Sequence, residues 1–294
     1  MSRLAGFLAR LERVLVLLER WLAREAGAPP DLALFERHLA FRWEADGHGG
    51  VEPIEAPHLF DLGELVGVER PLERLVANTE QFVLGLPSNH VLLHGERGTG
   101  KSSAVKGLLA RFGGRGLRML EVGKLDLLHL PRVLRALRGA PYRFILFCDD
   151  LSFDAGEPRF RELKAALEGS LVAPPENVRI FATSNRRHLM PESRADNREA
   201  RLDEAGELHM GEAVEEKLAL SDRFGLVLGF YGFDQRTYLA IVDRHAAKAG
   251  IRAGRDELHA EALRWALARA SRSGRTARQF VDDFAGREAL RGRL

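Results

Sequence analysis

Leu4, Phe7, Leu8, Leu11, Val14, Leu15, Leu18, Trp21 and Leu22 recur at intervals of three and four residues, which lines one face of a helix of about six turns. A second segment, Asp31 to Glu44, follows Pro29 and Pro30. Asp31 is placed to cap it, and Leu32, Phe35, Leu39 and Trp43 supply a matching face. Together the two segments predict an N-terminal helical hairpin. A seam this short closes an intramolecular bundle more readily than a dimeric coiled coil, which needs more heptads. Gly47, Gly49, Gly50, Pro53 and Pro57 then break the pattern, predicting a linker with a boundary near residue 57.

Beyond that point the period changes. His90 to His94, Leu117 to Val122, Phe144 to Cys148, Val178 to Thr183 and Leu226 to Phe230 are short apolar runs separated by helical patterns, the signature of a parallel α/β sheet buried on both faces. From Gln235 the strand signals stop. Helical segments near Arg236 to Ala249, Asp256 to Ala270 and Thr276 to Leu290 predict a small helical subdomain. The expected division is 1–57 as helical domain and linker, 58–233 as the α/β domain, and 234–294 as the C-terminal helices.

Composition narrows the function classes. Across 294 residues, 44 basic and 42 acidic side chains leave a formal charge of +2, so no global field draws the molecule onto nucleic acid or membrane. One cysteine, Cys148, excludes an internal disulfide framework and a multi-cysteine zinc site. Arg10, Glu12, Arg13, Glu19 and Arg20 interrupt the N-terminal apolar stretch, which excludes it as a membrane span or signal core. A cytoplasmic protein without membrane partners is expected.

Gly95-Glu96-Arg97-Gly98-Thr99-Gly100-Lys101-Ser102, followed by Ser103, matches the G-x-x-x-x-G-K-[ST] phosphate-binding loop and lies between an apolar strand and a helix. Its glycines let backbone N–H groups turn toward phosphates, and the following helix adds unpaired donors and the positive end of its dipole. Lys101 is placed to reach the β- and γ-phosphates of ATP, and the Ser102 hydroxyl to ligate magnesium. The strand Phe144 to Cys148 ends in Asp149-Asp150. Two carboxylates at the tip of a buried strand are costly without a cation or hydrogen bonds to receive them. Asp149 is assigned to the metal, and Asp150 to orienting or deprotonating the attacking water, with Asp154 near enough to assist. Val178 to Thr183 leads into Ser184-Asn185, placing the Asn185 amide on the same sheet edge.

The order Gly95 to Ser102, Asp149-Asp150, Asn185, then Ser221-Asp222-Arg223-Phe224 and C-terminal helices resembles AAA+ ATPases over about residues 60 to 290. The segments Asn78-Thr79-Glu80-Gln81-Phe82, Asp149-Asp150-Leu151-Ser152-Phe153, Ala182 to Leu189 and Gly274-Arg275-Thr276-Ala277-Arg278-Gln279-Phe280 look like a little-characterised bacterial AAA+ family catalogued as a domain of unknown function. The resemblance implies a P-loop parallel sheet flanked by helices, with a C-terminal helical lid. It also implies Walker A and Walker B roles for the loop and the aspartate pair, and sensor 1 for Asn185. Arg223 becomes an arginine finger entering a neighbouring subunit's site, and Arg278 becomes sensor 2, with Arg275 its competitor. Leu65, Val66 and Gly67 resemble the segment bordering the adenine. A homo-oligomeric ATPase acting on a macromolecular partner, protein or nucleic acid, is implied. One departure stands out: most such enzymes carry Asp-Glu where this chain has Asp-Asp. A nucleotide switch with little turnover and a small-molecule P-loop kinase remain the rival readings.

Other features are assigned no chemistry. His90 and His94 share a strand face at a spacing of roughly 13 Å, too far for one ion. Cys148 reads as a small buried residue. Residues Met190 to Glu216 read as a charged, solvated insertion. Lys124 follows the second strand, where unfolding rings carry an aromatic that this chain lacks.

Overall fold

All five runs expected as strands join one seven-stranded sheet. The computed structural model describes residues 10–16, 32–44, 50–153, 158–168, 174–185, 201–202, 208–209 and 222–291. In chain order the sheet strands are β1 (Ala40–Glu44), β2 (Gly50–Pro53), β3 (Val91–Gly95), β4 (Leu117–Glu121), β5 (Arg143–Cys148), β6 (Val178–Ser184) and, after a two-stranded hairpin, β9 (Leu226–Phe230). The hairpin, β7 (Arg201–Leu202) with β8 (Leu208–His209), falls in the insertion, the rest of which lies outside the described residues. The sheet order is β2-β1-β4-β5-β6-β3-β9, parallel except where β1 meets β2.

Helices α1 (Leu32–Arg37), α2 (Glu69–Val83), α3 (Lys101–Phe112), α4 (Leu130–Leu137) and α5 (Pro158–Glu168) precede three C-terminal helices, α6 (Gln235–Lys248), α7 (Arg255–Ala268) and α8 (Gly274–Arg291). Alternate strand residues feed two cores. Leu92, Leu120, Leu146 and Ile180 belong to the one that takes in α4 and α5; Leu93, Met119, Ile145 and Phe181 belong to the one that takes in α2 and α3. Burial on both faces explains why these strands read as continuous apolar runs. The C-terminal helices enclose a third core around Tyr238, Ala262 and Phe280.

The N-terminal expectation needs correction. The helix predicted over Asp31–Glu44 ends at Arg37, and Ala40–Glu44 is a strand paired in parallel with β4, Phe41 opposite Leu120. Phe41 and Trp43 point inward while Arg42 and Glu44 are exposed, a period of two that the four-residue spacing of Phe35, Leu39 and Trp43 concealed. Fully buried Phe35 anchors α1, meeting Phe41 and Phe144 edge-on at centroid distances of 5.1 and 4.8 Å. Buried Arg118 secures the same corner by donating to Phe35 O, Gly113 O and Leu117 O at 2.6, 3.0 and 2.9 Å. The glycine-rich stretch expected as a linker contains edge strand β2, so the sheet extends upstream of residue 57. Residues 10–16 are helical, with Leu11, Val14 and Leu15 exposed. The remainder of the expected first helix lies outside the described residues.

Candidate functional site

The glycine-rich loop connects β3 to α3 at the C-terminal edge of the parallel strands, where open α/β sheets bind ligands. Gly95 has φ +127°, and a Cβ there would fall 1.9 Å from the Phe230 carbonyl oxygen, so this close approach to β9 admits only glycine. Gly98 (φ +75°) and Gly100 (φ +100°) complete the turn, and Thr99 Oγ1 donates to Glu96 O at 2.8 Å. Lys101 is buried. Its Nζ donates to Gly95 O, Glu96 O and Asn185 Oδ1 at 2.8, 2.6 and 3.2 Å. Burial pushes its pKa below the ordinary lysine value, opposed by Asp150 and Asp149 and assisted by Arg275 and Arg97.

The acidic end of β5 interlocks with the loop and with β6. Asp149 Oδ1 accepts from Ser102 Oγ at 2.7 Å and from Thr183 Oγ1 at 2.5 Å. The same Thr183 oxygen accepts from Asp150 N at 2.8 Å, and Asn185 Nδ2 donates to Asp150 Oδ1. Thr183 therefore joins both aspartates, a role that sequence reading missed. The available signal was a hydroxyl directly after the apolar run Ile180-Phe181-Ala182. Asp150 has φ +53°, in the left-handed region that Asp and Asn tolerate better than longer side chains. That conformation gives a physical reason for Asp rather than Glu at this position.

These side chains open onto a cleft of about 680 Å³. One end is lined by Arg97 to Ser103, Asp149, Asp150, Thr183 and Asn185; the other by His58, Phe60, Leu65, Val66, Phe233 and Ile241. Leu65 and Val66 were expected there. The others come from the chain before α2, from the β9–α6 connection and from α6, and by sequence each resembles an ordinary core or loop residue. Gly95 and Glu96 act through backbone carbonyls that hold Lys101. Gly67 (φ +80°) lets this segment press against α6, since a Cβ would lie 2.4 Å from Thr237 Cγ2. The Lys248–Glu64 ion pair, 2.5 Å, links α6 to the 3-10 turn Leu62–Glu64. His245 also lines the cleft, and burial followed by the Arg278 charge lowers its pKa, with Glu64 opposing.

Helix α8 closes the third side. Gly274 N donates to Gly98 O at 2.9 Å, so the helix start is bonded directly to the phosphate-type loop. Buried Ser273 Oγ caps it by accepting from Thr276 N at 3.1 Å. Arg275 and Arg278 both line the cleft, and Arg278 also pairs with Asp282 at 3.1 Å.

The Ser102 hydroxyl and the Asp149 carboxylate form a hard oxygen pair, which fits magnesium better than a softer metal. Magnesium commonly takes only one or two protein ligands alongside phosphates and water. Among the described residues no cluster of three or more His, Cys, Asp or Glu forms a separate metal cage.

Arg223 is not brought to this cleft. It precedes β9 and lines a second cavity of about 330 Å³ with Ser88, Asn89, His90, Glu176 and Arg179, residues that precede β3 or β6 or, like Arg179, lie at the start of β6. Five-residue β9 separates the two edges by roughly 16 Å. Asp154 and Ser221 lie outside the described residues. His90 Nδ1 accepts from Ile180 N at 2.9 Å, and burial, followed by Arg179, lowers its pKa to about 4. Cys148 is fully buried, with its thiol pushed up to about 12 by burial and then by Asp149, which makes it a poor nucleophile.

Sheet order, glycine loop, acidic strand end and helical third side together define the AAA+ P-loop ATPase fold. Three structures of RuvB point variants from Thermotoga maritima share it, with TM-scores of 0.51, 0.50 and 0.51 and identities of 17%, 18% and 16%. Each match covers 76% of this chain and only 63 to 64% of the RuvB chain, and at such identity the likeness is one of fold. The chain belongs to the family described as protein of unknown function (DUF815), which matches residues 36–288. No curated protein matches it.

Proposed function

We propose that this chain binds ATP with magnesium in the cleft of about 680 Å³ and hydrolyses it, a neighbouring copy supplying Arg223 to complete the site. The observation that carries the reading is the interlocked set Lys101, Ser102, Asp149, Thr183, Asp150 and Asn185 at one sheet edge. Lys101 exchanges its loop carbonyls for the β- and γ-phosphates. Loop N–H groups and the start of α3 hold the remaining phosphate charge. Ser102 and Asp149 would hold magnesium, which would offset the phosphate charge. Asp150 orients the attacking water and takes its proton, while Asn185 aligns Asp150 and the γ-phosphate. Val66 and Ile241 would hold the adenine, and Arg278 would close on the nucleotide from the lid side.

Arg223 stands a strand length from its own loop, which favours action in a neighbour's site and makes turnover depend on assembly. In this reading residues 58–233, together with the upstream strands, form the motor unit and 234–294 the lid. Hydrolysis drives remodelling or loading of a protein or nucleic-acid partner in the cytoplasm. Among the described residues no helix is long and apolar enough to cross a membrane.

A second reading, a nucleotide switch with little turnover, draws support from the Asn185–Asp150 bond and from the shorter base. Phosphate release and binding of a fluorescent ATP analogue separate the two. Hydrolysis predicts that Lys101→Ala loses binding and that Asp150→Asn binds but stops releasing phosphate. Equal release from Asp150→Asn and wild type would leave the switch.

A further inference from the structure

We propose that Asn78 is a positioning residue for Arg223, acting through Asn89 and Gly225 at the sheet edge opposite the nucleotide cleft. The proposal rests on the reading of Arg223 as a residue that acts in a neighbour's site. Asn78 belongs to a segment of α2 that has no contact with the cleft, and its side chain is buried at 5% exposure. A buried amide is costly unless its hydrogen bonds are met. Both ends of this one go to a single residue: Nδ2 donates to Asn89 O at 3.1 Å, and Oδ1 accepts from Asn89 N at 2.9 Å. The clamp therefore fixes the loop before β3.

The fixed loop in turn sets the approach to β9. A Cβ on Gly225 would lie 2.3 Å from Asn89 Oδ1, so the Asn89 side chain rests against that backbone, and Leu226 N donates to His90 O at 3.2 Å. Phe224, the residue between Arg223 and Gly225, is buried at 2% and anchors the segment in the core. Arg223 is thus held between a buried anchor and a loop that Asn78 defines. Arg179 braces the other wall of the cavity: its Nε donates to Ser88 O at 3.2 Å and to Ser88 Oγ at 3.1 Å, and its guanidinium lies 5.2 Å from the Phe82 ring centre. Asn78 and Phe82 lie one helical turn apart on α2, so that helix carries both the clamp and the brace.

An arginine that must enter another subunit's site tolerates little error, since about 1 Å of misplacement costs on the order of a hundredfold in rate. Asn78→Ala removes the clamp. The milder Asn89→Ala, at an exposed position, removes only the side chain resting on Gly225. Both variants are expected to bind a fluorescent ATP analogue within about twofold of wild type and to lose about tenfold or more in turnover. Excess Lys101→Ala chains, with a dead loop but an intact Arg223 edge, then restore turnover in the variants' own sites. Arg223→Ala mixed with the same Lys101→Ala chains is the control. Rescue of Arg223→Ala without rescue of folded Asn89→Ala would overturn the positioning role alone. Wild-type turnover by Arg223→Ala on its own would overturn the neighbour-site reading and the proposal with it.

Discussion

Replacing Thr183 with valine keeps the shape of a side chain that is 1% exposed and deletes one hydroxyl. That hydroxyl donates to Asp149 at 2.5 Å and accepts from Asp150 N at 2.8 Å. A lost hydrogen bond to a charged group and an orphaned backbone N–H would together cost several kcal/mol in a sealed core. Both aspartates face the cleft, however, and water replaces part of the loss, leaving about 1–3 kcal/mol. At roughly 2–4 °C per kcal/mol for a chain of this size, Tm falls by about 2–12 °C. The larger effect is on rate, because Asp150 loses the bond that fixes its left-handed backbone at the end of β5. Displacement approaching 1 Å lowers turnover by about 10- to 100-fold. Lys101 and the glycine loop are untouched, so binding of a fluorescent ATP analogue stays within about threefold. Differential scanning fluorimetry and phosphate release, each with magnesium and ATP, give the two readings, with Thr183→Ser, which keeps the hydroxyl, as the control. Wild-type Tm and turnover in Thr183→Val would refute the claim that this hydroxyl joins the aspartates.

Gly98→Ala places a methyl group 2.8 Å from Ser273 Oγ at φ +75°, so loop or lid must shift. We expect a loss of about 1–3 kcal/mol and weaker nucleotide binding by titration calorimetry. His90 has its pKa lowered from 6.5 to about 4, so it contributes stability that is complete above pH 6.5 and is lost as pH falls toward 4. The full loss is on the order of 3 kcal/mol. Urea unfolding of His90→Gln across that window is expected to show a shallower decline than wild type, and an unchanged slope would refute the assignment. Asp150→Glu, which installs the commoner residue, is expected to turn over no faster than wild type because φ +53° disfavours the longer side chain. Steady-state phosphate release checks this.

The loop, the aspartate pair and Asn185 were legible because each sits at the end of a strand whose apolar run is local in sequence. Strand bounds followed closely: Leu226–Phe230 was predicted to the residue, and β3 runs over Val91–Gly95 against an expected His90–His94. Strand β1 was not legible. Its alternation covers five residues, and its pairing partner β4 lies some 80 positions away, so only tertiary context separates it from a continued helix. Leu65 and Val66 were picked out at the apolar end of the cleft, but His58, Phe233 and His245 were not, for the same reason: they come from separate segments and meet only when the C-terminal helices dock. Thr183 and Ser273 are single buried hydroxyls whose importance lies in what they bond. Arg223 was picked out by motif order, and the fold adds that it lines a cavity at the sheet edge opposite its own loop.

The most direct test of a shared site is to mix Arg223→Ala chains, which keep an intact loop, with Lys101→Ala chains, which keep an intact Arg223. Each alone should be inactive in phosphate release. With random equimolar assembly about one quarter of the sites pair an intact loop with an intact arginine, so turnover should return to about a quarter of the wild-type value. A mixture as inactive as its components, in chains shown to assemble together, would contradict the account.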